Sequence, residues 1–101
     1  HSAMPPTMPN ALERTLNQRG TQYGPAREQW ALAQRIKGAM RSTERFHVLS
    51  PVEAEALDQI ATKISRLISG LPEQHDTWHD IAGYATVAEQ ALREEADAGL
   101  D

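Results

Sequence analysis

Residues 50–70 read SPVEAEALDQIATKISRLISG, and their pattern decides the fold class. Ser50 stands where a helix N-cap would, Pro51 at the first helical position and Glu53 at the third. That is a capping box, in which serine and glutamate side chains satisfy two of the free backbone N–H groups at a helix start. Val52, Ala56, Leu57, Ile60, Ile64, Leu67 and Ile68 then recur at helical spacing, and Gly70 supplies the stop. Strand-like alternation of any useful length is missing from the whole sequence.

Working outward, the same period returns on both sides. Upstream, Pro25 suits the first turn of a helix that runs to about Arg41, with Trp30, Ala33, Ile36 and Met40 inward and Leu32 on the flank. TQYGP, residues 21–25, reads as the turn before it. A short leading helix, ALERTLNQR, is capped by Asn10 and stopped by Gly20. STERFHVL, residues 42–49, reads as a connector with a helical turn. Downstream, a last helix spans about Thr77 to near Ala96, with Trp78, Ile81, Ala85, Ala88 and Leu92 as its stripe. Its small residues, Ala82, Gly83, Ala85, Ala88 and Ala91, permit close helix approach within or between subunits. Short connections favour antiparallel neighbours. The expected fold is all-α: a small antiparallel bundle of one short leading helix and three longer ones. Residues 1–9 read as a tag remnant, HSAM, and a Pro-rich lead, 10–96 as a single helical domain, and 97–101 as a frayed tail.

At 101 residues, 40% hydrophobic and 24% charged, the chain has the balance of a globular domain with one modest core. It has no cysteine, hence no disulfide, thiol nucleophile or cysteine-held zinc. No run is long enough to span a membrane, and the cytosol is the expected compartment. Ten basic against fourteen acidic residues, a net charge of −4, argue against nucleic acid as a partner. Arg35, Lys37, Arg41 and Arg45 cluster, and a solvated helix face accounts for them.

The chemistry-bearing residues lie near HDTWHDIAGY, residues 75–84. His75 and His79 have i, i+4 spacing, but the HExxH glutamate is lacking, so a solvated helix start is the preferred reading. Asp76 or Thr77 is the natural cap of the last helix. Asp80 lies at the edge of the apolar stripe beside Tyr84, where a carboxylate wants a partner or an ion. Lys63 shares a face with Ala56, Ile60 and Leu67, and Arg66 is one step round. The favoured expectation is an ion pair from Lys63 or Arg66 to Asp80; the functional alternative is that these cations meet a phosphate. Glu53, Asp58, Asp76 and Asp80 offer oxygen ligands for magnesium if their helices are neighbours.

Taken together, RGTQYGPAREQW, the 50–70 segment (read from Leu49) and DTWHDIAGYATVAEQ resemble an uncharacterised family of small bacteriophage and prophage proteins. That family is in turn similar to MazG-like all-α nucleoside triphosphate pyrophosphohydrolases, which hold magnesium through E-x-x-E and E-x-x-D carboxylates and cleave between the α and β phosphates. The resemblance places Asp80 at the aspartate of E-x-x-D and Thr77 at its glutamate. Glu55 and Asp58 occupy the i, i+3 pair of the preceding helix, and Ala54 stands where the phage relatives carry aspartate. It implies Asp80, Asp58 and Glu55 as catalytic residues, Asp58, Asp80 and Asp76 as magnesium ligands, and Lys63, Arg66 and Tyr84 as substrate contacts. It also implies a homo-oligomer, a dimer or higher. With two ligands altered, two functions stay open: a reduced magnesium-dependent pyrophosphohydrolase, and a non-catalytic module that binds a nucleotide or a host protein, as a counter-defence factor would.

Overall fold

The structure, a computed structural model, describes residues 20–69 and 74–99. They form three helices, α1 (Gly20–Arg41), α2 (Pro51–Ile68) and α3 (Gln74–Gly99), with a 3-10 turn (Arg45–Val48) between the first two. Among the described residues there is no strand, and the architecture is the expected small all-α antiparallel bundle. The expected leading helix lies outside the described residues.

The start of α2 has the geometry its sequence implies. Ser50 Oγ accepts from the Glu53 N–H at 3.2 Å, and Glu53 Oε1 accepts from the Ser50 N–H at 3.1 Å. Two boundaries differ from expectation. TQYGP is helical rather than a turn, as α1 already begins at Gly20. Proline's fixed φ is a helical value, and its missing N–H deprives only the Thr21 carbonyl, one turn into the helix. The last helix starts at Gln74 and runs to Gly99, past the expected end at Ala96.

α2 is the middle element. It packs on both α1 and α3, while those two scarcely touch each other. Asp58, Ala61 and Ser65 lie on its α1 side and Ala56 and Lys63 on its α3 side. Asp58 is two residues from Ala56, roughly 200° round the helix, so the two neighbours sit on nearly opposite flanks. Both packings are antiparallel: Arg41 at the end of α1 meets Asp58 early in α2, whereas Leu32 lies by Ile68. Lys63 meets Asp80, whereas Glu53 lies by Glu89 and Leu92.

The three helices therefore form an open layer. Its buried residues are mostly small: Ala33, Ala56 and Ala61, with Ser65 and Thr77, and the longer Gln29. Small side chains let the backbones approach closely, but they leave the larger apolar residues part-buried or exposed. Trp30 is 64% exposed and Trp78 62%, although both belonged to the expected inward stripes. Each is displaced by a polar neighbour, Gln29 or Thr77, that takes the contact line. Ala82, Gly83 and Ala85 are exposed too, so among the described helices they do not mediate close approach.

Candidate functional site

Between the C-terminal half of α2 and the N-terminal third of α3, Lys63 Nζ lies 2.8 Å from Asp80 Oδ2. The pair is only partly covered, with Asp80 the more exposed member. The Lys63 hydrogen bond holds the Asp80 carboxyl below the usual carboxylate range; partial burial opposes the shift, and the charges of Lys63, His79 and Arg66 add to it. Arg66 thus lies within electrostatic reach, one turn along α2. Its Nε is shielded from solvent with no hydrogen-bond partner. Lys63 in contact and Arg66 at longer range thus both act on the Asp80 carboxylate.

An open groove of about 460 Å³ continues from this point along the α2–α3 seam, lined by Val52, Glu55, Gln59, Tyr84 and Val87 among others. The lining is mainly apolar. Gln59 precedes Lys63 by four residues, and Tyr84 follows Asp80 by four. Each therefore sits one turn from the ion pair on the same face. Gln59 Nε2 donates to Glu55 Oε2 at 2.8 Å. The seam thus has an apolar, aromatic-edged stretch and a cationic end.

The proposed magnesium ligands are not brought together. Asp58 faces α1, where Arg41 donates to both its oxygens at 2.8 and 2.6 Å. That hydrogen bonding lowers the Asp58 pKa, with partial burial acting against it. The Arg41 guanidinium also lies 4.6 Å from the Phe46 ring centroid, and His47 Nε2 meets the Arg41 carbonyl at 2.9 Å. Asp58 and Lys63 are five residues apart, roughly 140° round the helix, so Asp58 cannot reach the ion held beside Asp80. The Asp76 side chain is 81% exposed, and among the described residues its ion-pair contact is His75 at 3.7 Å. Among the described residues no three His, Cys, Asp or Glu side chains gather as a metal site. The set Asp58, Asp76 and Asp80 does not fit one magnesium ion: Asp76 and Asp80 share a face of α3, but Asp58 is turned to the opposite flank of α2 and held by Arg41.

Of the remaining expected residues, Glu55 and Tyr84 line the groove, while Lys63 lies one turn and Arg66 about two turns beyond Gln59, outside its lining. Thr77 is buried, so a longer acid at that position would point into the bundle. The Arg41–Asp58 clamp escaped the sequence, where Arg41 read as one of four solvated cations. The signal for it is Asp58 in line with Ala54, Ala61 and Ser65, a stripe of small residues with one carboxylate.

A family described as a domain of unknown function, DUF6378, matches residues 7–92. The chain belongs to that family. The match spans all of α1 and α2 and most of α3, so the ion pair and the groove both lie inside the DUF6378 domain. No curated protein and no solved structure matches the chain. None of the described DUF6378 helices is long and apolar enough to cross a membrane.

Proposed function

We propose that this DUF6378 chain is a non-catalytic nucleotide-binding module, with the ligand in the α2–α3 groove. The observation that carries it is the Lys63–Asp80 ion pair, with Arg66 within electrostatic reach, one turn beyond an apolar groove edged by Tyr84. A phosphate chain is drawn to these two cations, and the arginine offers planar donors suited to phosphate oxygens. The base lies along Val52, Tyr84 and Val87. Likeness to phage proteins and to MazG-like enzymes supports a nucleoside triphosphate as the ligand and a bacterial host cytosol as the setting.

Titration calorimetry with ribo- and deoxyribonucleoside triphosphates tests this, with inorganic triphosphate as the control for phosphate recognition alone. Binding is expected to weaken about tenfold or more in Arg66→Met, the loss typical of one charge-assisted contact. Asp80→Asn is expected to tighten it by removing a like charge beside the phosphates. No binding of any nucleotide at millimolar concentration rules the proposal out.

Hydrolysis between the α and β phosphates is the second reading. What favours it is Asp80, held ionised at the groove's end and matching the E-x-x-D aspartate of the MazG-like pattern. Release of monophosphate and pyrophosphate during the same incubations decides between the two.

A further inference from the structure

Along the α2–α3 seam the polar groups are sorted by kind. Glu55 and Gln59 line the groove from α2, with Tyr84 and Val87 on the α3 side. Lys63 follows one turn beyond Gln59, and Arg66 nearly a turn later. One end therefore offers an acceptor and the other offers cations. Gln59 Nε2 donates to Glu55 Oε2 at 2.8 Å and so holds the Glu55 carboxylate. Arg41 acts on Glu55 electrostatically, but its two terminal guanidinium nitrogens donate to Asp58. Among the described residues no cation is in contact with Glu55. A carboxylate accepts at about four lone-pair sites, so Oε1 and a second lone pair of Oε2 are open to a ligand.

We infer that Glu55 reads the base and that the groove selects a guanine nucleotide. This rests on the nucleotide-binding reading of the same groove and adds the identity of the base to it. A carboxylate can only accept hydrogen bonds. The Watson–Crick edge of guanine carries two adjacent donors, N1–H and the N2 amino group, which match its two oxygens. Adenine and cytosine set one donor beside an acceptor, and uracil sets its donor between two acceptors. Each of these leaves a carboxylate oxygen facing another lone pair. The spacing along α2 agrees with this. Glu55 and Lys63 are eight residues apart, about 12 Å of helical rise, which suits an extended nucleotide with its base edge at the first and its phosphates at the second. The charge of Glu55 also turns phosphates away from its own end, so the ligand has one direction in the groove. Gln59 is a positioning residue, acting through the carboxylate it holds.

Calorimetry with GTP, ATP, CTP, UTP and ITP, and with inorganic triphosphate, tests the assignment. GTP is expected to bind about tenfold or more tighter than ATP, the discrimination of one bidentate pair. ITP, which keeps N1–H and lacks the N2 amino group, is expected between them. Glu55→Gln presents a donor beside an acceptor, as the adenine edge requires. It is expected to lose the preference for GTP without weaker binding of inorganic triphosphate. Gln59→Met is expected to narrow the GTP-to-ATP ratio with the same control unchanged. If either variant fails to keep its helical circular dichroism, the wild-type panel carries the test. Equal affinity for GTP and ATP, or a GTP preference that survives in folded Glu55→Gln, overturns the role of Glu55 and leaves nucleotide binding standing. A chain that binds no nucleotide at millimolar concentration removes both.

Discussion

Asp58 and Asp80 show how one residue type takes two positions in the same helix layer. Each carboxylate is held by a cation from a neighbouring helix, Arg41 for one and Lys63 for the other, and each has its pKa lowered. A carboxyl with a depressed folded pKa stabilises the fold fully above its unfolded value of about 3.9, and that contribution is lost as pH falls through the folded value. The thermal midpoint is therefore expected to hold steady from neutrality to about pH 5 and to drop below roughly pH 4. In Asp58→Asn the acid-side drop becomes shallower while the neutral-pH midpoint is lower. Thermal melts across that pH range check both signs. Lys63→Ala and Asp80→Asn separate structure from ligand: both remove the ion pair, but only the first is expected to weaken nucleotide binding.

The helices themselves respond to caps and glycines. Ser50 Oγ satisfies the Glu53 N–H at the start of α2, and Ser50→Ala is expected to cost about 1 kcal/mol, read as a shift in urea midpoint. Gly38 lies in the last turn of α1 and Gly83 well inside α3, and a Cβ at either would meet nothing within 4 Å. Gly38→Ala and Gly83→Ala are each expected to stabilise by roughly 0.5–1 kcal/mol, because alanine gives up less chain entropy. Gly83 lies within the DIAGY stretch that marks the last helix. A stabilised Gly83→Ala chain that still binds nucleotide would show that the glycine serves neither packing nor the groove. The cap, the period and the all-helical class were legible in the sequence, because each depends on residues within one turn of each other. The boundary at TQYGP was not, since a proline one turn into a helix is compatible with both turn and helix.

For the molecule as a whole, the described helices form an open layer with an apolar face that exposes Leu57, Ile68 and Leu92. If a second copy covers the apolar face, folding and pairing are linked and the thermal midpoint rises with protein concentration. A midpoint that stays constant over a hundredfold dilution would be the result for a self-sufficient monomer. Trp30 and Trp78, both exposed, report little on that face, so far-ultraviolet dichroism is the better signal for this melt.

Local sequence alone determined that the chain is helical, where α2 begins, and that Asp80 requires a cation. Those properties follow from spacing along one helix and from the cost of leaving a carboxylate near an apolar stripe. Only the tertiary structure decided which cation Asp80 takes, that Asp58 turns away to Arg41, and that Trp30 and Trp78 yield the inner line to Gln29 and Thr77. These depend on which flanks of α2 its two neighbours occupy. That is set by close packing among alanines, serine and threonine rather than by the largest apolar side chains, and a helical period cannot rank one flank over another.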